Sequence, residues 1–249
     1  MDTYVADVPN VTAGAYDKNN VLITASASAS ATSNISYGRA HGVAYNLALQ
    51  SASDLAQSLV NKQNIHTEDE NNTKLRIGFF SSSSMLLSPR HYRQLNKIFK
   101  SLDVSKFAVV YGGGQKGMMG QVGQLAVNNN LSLYAYDSVQ FGASQYSEAQ
   151  VVEFSSLVPR ENVLINNTDV TVILPGGYGT LMELFWASTL NNIGERQKKV
   201  IIWNVNGYYT GLITFLLSDK FQQNPKRTLE YNKIVVCNTY TDVLLNLKN

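Results

Sequence analysis

Cysteine is almost missing from this chain: Cys237 is the only one among 249 residues. That excludes a disulfide framework and a CxxC zinc site, and it fits a reducing compartment. Histidine is nearly as scarce. His41, His66 and His91 stand far apart, without the spacing of metal ligands. Charged residues make up only 15% and almost balance, at a formal +2. Such a balance gives no electrostatic basis for binding nucleic acid or a membrane surface. No apolar run is long enough to span a bilayer. Met1-Asp2-Thr3-Tyr4 has neither the basic nor the apolar block of a signal peptide. The expectation is a soluble, cytoplasmic protein with no bound metal, no nucleic-acid partner and no membrane partner. What is present is a hydrophobic fraction of 44%, enough to build one large domain or two small ones.

Residues 1–74 differ from the rest and are expected to form an N-terminal extension. Ala25-Ser26-Ala27-Ser28-Ala29-Ser30-Ala31 is low in complexity and cannot build a core alone. Tyr37 to Val60 is a helix candidate, with Val43, Leu47, Leu55 and Leu59 at helical spacing. Asn61 to Lys74 is polar and has the composition of a linker. The main domain is expected over residues 75–249. Short apolar strands at 75–80, 107–111, 131–136, 150–154, 170–174, 199–203 and 233–237 alternate with helical stretches. Strands that are apolar throughout belong to a sheet covered on both faces. The fold class is therefore α/β, a doubly wound parallel sheet of about seven strands with helices on both faces. Ligands of such sheets bind at the carboxyl ends of the strands. That rule gathers the serine loop Ser81–Ser84, two glycine loops, Arg160 and Glu183 at one edge.

The first glycine loop, Gly112-Gly113-Gly114-Gln115-Lys116-Gly117-Met118-Met119-Gly120, contains a GxGxxG pattern between a strand and a helix. Asp137 ends the next strand, about where a dinucleotide fold places its ribose-binding acid. This allows a dinucleotide-dependent oxidoreductase, and equally a tight turn that binds nothing. The second loop, Pro175-Gly176-Gly177-Tyr178-Gly179-Thr180, follows the strand at 170–174 and opens a helix. Closely spaced glycines let backbone N–H groups approach a ligand, and the helix N-terminus favours an anion, most naturally a phosphate. Thr180 could add a hydroxyl. Thr180 and Glu183 also have the spacing of a capping box, with Thr180 as N-cap and Glu183 at N3. A catalytic Glu183 and a capping Glu183 both stay open on spacing alone.

Together these motifs resemble the LOG family, the cytokinin riboside 5′-monophosphate phosphoribohydrolases, many of whose relatives carry a "lysine decarboxylase" label. Gly112 to Gly120 looks like that family's GGGxxGLMG, and Pro175 to Glu183 matches its PGGxGTxxE at every fixed position. Asn204-Val205-Asn206-Gly207-Tyr208-Tyr209 is similar to its NVDGYY. The resemblance runs from about Leu75 to the C-terminus. It implies a Rossmann-like fold, usually a homodimer, with a catalytic arginine and glutamate and no metal or redox cofactor. The arginine of the family's MHxRKxxM falls on Arg160, the glutamate on Glu183. Three positions depart from the pattern: Val158 replaces the histidine, Glu161 the lysine, and Met182 a glutamate.

The implied reaction is hydrolysis of the N-glycosidic bond of AMP or a cytokinin riboside monophosphate, giving free base and ribose 5-phosphate. Its transition state resembles an oxocarbenium ion, which a carboxylate such as Glu183 can stabilise while aligning water. Arg160 would orient that carboxylate or contact the phosphate. Gly176, Gly177, Gly179 and Thr180 would hold the 5′-phosphate, and Gly113, Gly114 and Ser82 would line the nucleotide pocket. A second class fits the same motifs: a binding protein for a nucleotide or the molybdenum cofactor that keeps the loops without hydrolysis. Glu161 is expected either to pair with Arg160 or to point into solvent. The helix after Thr180 carries Leu184, Phe185 and Trp186, an apolar face expected to need cover from a second copy.

Overall fold

The computed structural model describes residues 4–16, 22–33, 40, 43–48, 50–52, 54, 74–138, 146–154 and 157–248. These fall into two compact units. One takes in the described residues before 74 together with 138, 154 and 157–160; the other takes in the remainder from 74 onward.

In the first unit, β1 (Tyr4–Tyr16) and β2 (Leu22–Ser33) form a two-stranded antiparallel sheet, with Tyr4 opposite Ser33 and Tyr16 opposite Leu22. The low-complexity run thus lies within a strand. Alternation of alanine and serine has the two-residue period of a strand, and the ladder of backbone hydrogen bonds needs no bulky side chain. Residues 43–48 and 50–52 are helical. The buried face, however, is not the one expected. Val43 and Leu47 are about half exposed, whereas Ala40, Ala44, Ala48 and Ala52 are fully buried. Spaced four apart, these alanines form one line along the helix, and their small size lets neighbouring chain come close. Leu55 and Leu59 lie outside the described residues, as does the expected linker apart from Lys74.

The remaining elements are β3 (Leu75–Phe80), α1 (Pro89–Lys100), β4 (Phe107–Tyr111), α2 (Gly117–Asn128), β5 (Ser132–Ser138), β6 (Gln150–Phe154), α3 (Leu157–Asn166), β7 (Val170–Ile173), α4 (Tyr178–Asn192), β8 (Lys199–Trp203), α5 (Thr210–Leu216), β9 (Ile234–Cys237) and α6 (Tyr240–Lys248). The seven strands β3–β9 form one sheet in the order β6-β5-β4-β3-β7-β8-β9, with helices on both sides. β3 pairs in parallel with both β4 and β7, Ile77 standing opposite Val109 and Val170. The apolar strand runs are buried because both faces are covered: Ile77, Phe79, Val109, Val172 and Ile201 have no exposed surface. Helix α1 starts where Ser88 accepts from the His91 N–H and Pro89 takes a first-turn position. It packs Phe99 against Phe79, ring centres 4.8 Å apart.

The chain leaves β3 toward one side of the sheet and returns to β7 on the other. The crevice between the carboxyl ends of β3 and β7 is therefore the topological switch point. The serine loop borders it on one side and the second glycine loop on the other.

A charged cluster sits at the opposite end of β7. Arg196 is buried, and one of its terminal nitrogens donates to Thr168 O (3.2 Å), Thr168 Oγ1 (3.0 Å) and Thr171 Oγ1 (3.1 Å). Its Nε and other terminal nitrogen have no partner among the described residues. Burial brings Arg196 down to about 10 from its ordinary 12.5, with Asp169 opposing the shift. A cation so depressed costs stability while protonated, and the cost is relieved only as pH climbs from about 10 toward 12.5. At neutral pH it is present in full. Each acceptor also has another partner: Lys198 donates to Thr168 O, and the two threonine hydroxyls bond each other. Arg196→Met is therefore expected to melt within about 2 °C of the wild type or higher, as replacing buried charge by apolar volume often does. Calorimetry at pH 7 checks this, and a fall of about 5 °C or more would refute it.

Candidate functional site

The two glycine loops look alike in sequence and differ in what they leave open. In the first, a side chain at most glycines would collide with the protein. Gly117 has φ +61°, and a Cβ there would strike the backbone of Ser83. At Gly120 it would strike the Gln115 backbone, and at Gly113 (φ +93°) it would lie 2.8 Å from Asp137. The N–H groups at the start of α2 are also spent. Met118 donates to Met85 O (2.6 Å) and Met119 to Ser82 O (3.0 Å). Tyr111 ties the loop from within, its hydroxyl donating to Gly113 O at 2.9 Å. Gly114 donates to Met119 Sδ at 3.3 Å. Asp137 is buried against Gly113 and already engaged inside the protein. The ribose-binding role that a dinucleotide fold gives such an acid requires an open carboxylate, so the oxidoreductase alternative loses its support.

The second loop is open. Gly176 does need to be glycine, because Thr180 lies over it where a Cβ would sit. At Gly177 and Gly179 a Cβ would meet nothing within 4 Å, and neither has a positive φ. Packing therefore demands no glycine at either place. Helix α4 begins at Tyr178 with Gly177 as its N-cap, and its first helical bond runs from Leu181 N–H to Gly177 O at 3.0 Å. The N–H groups of Tyr178, Gly179 and Thr180 precede that bond and have no acceptor within the helix.

This boundary overturns the capping box. Thr180 is the third helical residue and Glu183 the sixth, so Thr180 is not the N-cap and Glu183 is not at N3. Glu183 instead lies on the inward face of α4 with Thr180, Leu184, Ala187 and Asn191. It is 5% exposed and engaged inside the protein. Its charge is felt at Tyr209. Burial raises the Tyr209 phenol above its ordinary value, and the neighbouring Tyr208 and Glu183 add to the rise. Leu184 needs no second copy to cover it, being fully buried within the chain. Phe185, Trp186 and Met182 remain a little over 40% exposed, and Tyr178 and Ile193, at the two ends of the same helix, are more exposed still.

Ser82 serves the loops in two ways. Its N–H donates to Pro175 O at 3.3 Å, joining the serine loop to the second glycine loop. Its hydroxyl accepts from Ser84 N–H and Met85 N–H, each at 3.1 Å, and so shapes its own loop. The structure thus brings Ser82, Gly113, Gly114, Gly176, Gly177, Gly179, Thr180 and Glu183 into one unit, on loops and a helix around the switch point. Arg160, on α3, is counted with the other unit and is 5% exposed. Glu161 is 8% exposed, which removes the expectation that it points into solvent. Two residues given no role from sequence stand out. Tyr209 donates its hydroxyl to Leu174 O at 2.7 Å, and Tyr208 donates to Gly176 O at 3.1 Å. Among the described residues there is no cluster of three or more His, Cys, Asp or Glu that could hold a metal, and no helix long and apolar enough to cross a membrane.

Comparison with known proteins agrees with this arrangement. A family model described as "Possible lysine decarboxylase" matches residues 114–247. Two Arabidopsis thaliana proteins named cytokinin riboside 5′-monophosphate phosphoribohydrolase are 30% and 31% identical to the chain over 144 residues, 57% of its length. The chain spans 66% and 63% of those relatives' own lengths. Among solved structures, the molybdenum cofactor binding protein of Rippkaea orientalis superposes with a TM-score of 0.52 at 16% identity, covering 70% of this chain and 96% of that one. The Moco carrier protein of Chlamydomonas reinhardtii gives 0.53 at 14% identity, with coverages of 70% and 96%. At such identities these structures share the fold alone. The glycine motifs, the parallel sheet and the family match over more than half of the residues together place this chain in the LOG family, the "possible lysine decarboxylase" group.

Proposed function

We propose that this protein hydrolyses the N-glycosidic bond of a nucleoside 5′-monophosphate, AMP or a cytokinin riboside monophosphate. The observation that carries the reading is the pair Gly177 and Gly179. Both sit at open N–H groups on a helix start, both lack side chains that the packing would have admitted, and a buried carboxylate follows one turn deeper. Gly179 even lies inside α4, where alanine would be worth roughly 1 kcal/mol more. An anion that must approach the backbone closely accounts for that cost. The names borne by the curated relatives support reading that anion as the 5′-phosphate of a nucleotide.

In this reading the N–H groups of residues 177–180 hold the phosphate and the helix dipole complements its charge. The ribose then lies toward Glu183. As the bond between C1′ and the base nitrogen lengthens, positive charge grows on the sugar, and the carboxylate stabilises it. Water adds its oxygen to C1′, and the proton it loses ends on the departing base. The products are free base and ribose 5-phosphate. The part given to Arg160 rests on the family's sequence pattern.

Incubation with AMP is expected to release adenine and ribose 5-phosphate. Glu183→Gln, which removes charge and keeps shape, is expected to abolish release while AMP still binds; undiminished turnover in that variant would sink the assignment. Gly177→Ala is expected to lower the melting temperature only slightly, by the roughly 1 kcal/mol or less that alanine costs at an N-cap, and to weaken AMP binding about ten-fold or more. Gly120→Ala, which meets the Gln115 backbone, is expected instead to lower the melting temperature by several degrees, on the order of 1–3 kcal/mol. Equal loss of stability in both variants would mean the second loop is also structural. The exposed Phe185 and Trp186 also support a homodimer, and light scattering at micromolar concentration is expected to give at least twice the 27.5 kDa chain mass.

A further inference from the structure

A cradle for an anion fails if a carbonyl turns into it. Four successive carbonyls line the turn from β7 to α4, and each has a donor on the protein. Leu174 O accepts from the Tyr209 hydroxyl at 2.7 Å, and Pro175 O from Ser82 N–H at 3.3 Å. Gly176 O accepts from the Tyr208 hydroxyl at 3.1 Å, and Gly177 O from Leu181 N–H at 3.0 Å. In a trans peptide the C=O and the following N–H point in opposite directions, and the described chain contains no cis bond. Fixing the oxygens of 176 and 177 therefore fixes the N–H groups of Gly177 and Tyr178 opposite them, while the Gly176 N–H is turned toward the Tyr209 hydroxyl.

The link between Gly176 and Gly177 is the weak one. A peptide flanked by two glycines has little steric resistance to flipping. Its neighbours are held by backbone groups, but its own carbonyl is held by one side chain from a loop some thirty residues away. Resting on the phosphate reading above, we propose that Tyr208 and Tyr209 are positioning residues for the anion: their hydroxyls keep the Gly176 and Leu174 carbonyls turned out of the cradle, so that the Gly177 N–H faces the bound phosphate.

The two tyrosines are built for this. Asn206 (φ +54°) and Gly207 (φ +72°) make the turn that presents them. Asn204 Oδ1 accepts from the Tyr209 N–H at 2.8 Å, and its amide reaches Thr210 and Asn238, anchoring the turn to the ends of β8 and β9. The rings meet edge to face, centres 4.8 Å apart, so each ring favours the orientation of the other. Tyr209 is buried, and its raised phenol keeps the donor proton. Tyr208 is 47% exposed, so losing its hydroxyl threatens the core little.

The test compares the full chain with Tyr208→Phe and Tyr209→Phe by calorimetric titration with inorganic phosphate, AMP and adenosine. Tyr208→Phe is expected to keep the melting temperature and to weaken phosphate and AMP binding about three- to ten-fold, the weight of one oriented hydrogen bond. Adenosine binding is expected to stay within two-fold, and in turnover of AMP the KM is expected to rise with kcat nearly constant. Tyr209→Phe is expected to act in the same direction. Wild-type phosphate affinity in Tyr208→Phe, or equal weakening of AMP and adenosine, would overturn the inference. A wild-type chain that binds neither phosphate nor AMP would overturn it together with the cradle. One that binds both and releases no base, with the same selective loss in Tyr208→Phe, would uphold the inference and overturn only the hydrolytic reading.

Discussion

If an anion sits at the carboxyl edge of this sheet, its hold depends on the direction of one peptide. At the turn between β7 and α4 the backbone can offer an anion its N–H groups only if its oxygens face elsewhere. Each oxygen needs a donor to stay there, because a buried acceptor without one is costly. The doubly wound sheet supplies those donors by adjacency. β3 lies on one side of β7 and brings Ser82 to Pro175 O; β8 lies on the other and leads to Tyr208 and Tyr209. Helix α4 supplies the last donor itself. A loop without this company would be a flexible glycine run.

The first glycine loop shows the opposite use of the same residue. Its glycines are spaces filled by other atoms: Asp137 behind Gly113, the serine loop behind Gly117, the Gln115 backbone behind Gly120. The N–H groups of Met118 and Met119 hold the serine loop in place, which in turn presents Ser82 to Pro175. The first loop is thus a support for the second, two contacts removed. A GxGxxG pattern after a strand describes the turn and not its occupant.

Much of this was legible in the chain. The seven strands declare themselves because burial on both faces makes them apolar throughout, as with Val170 to Ile173. The switch point follows from their order, and PGGYGT marks the open glycine loop at that edge. Other features depend on distant atoms that periodicity does not report. Whether Gly177 is free and Gly120 is crowded depends on what a Cβ would meet. The capping box at Thr180 and Glu183 fits the spacing rule, yet the helix starts three residues earlier because Gly177 takes the N-cap. In the N-terminal helix the larger residues Val43 and Leu47 suggest the inner face, while the small Ala40, Ala44, Ala48 and Ala52 occupy it. Tyr208 and Tyr209 carry no chemistry by type, and only their two acceptors give them meaning.

The departures from the family pattern can be sorted by the same physical standard. Val158 stands where the pattern has histidine and is 79% exposed; Met182 stands where it has glutamate and is 44% exposed. Successive residues on a helix point about 100° apart, so Met182 is half exposed and Glu183 buried although they are adjacent in sequence. Met182 belongs to the outer apolar stripe with Tyr178, Phe185 and Trp186, and its effect runs through whatever covers that stripe. Glu161 is different, because it replaces a cation and is buried. A buried carboxylate needs partners among its neighbours, and Glu161 has them. Its Oε2 is buried and accepts no hydrogen bond among the described residues, and lysine there would put the opposite charge into a buried position of α3. Of the three departures, Glu161 is the one whose charge the interior of the protein has had to accommodate.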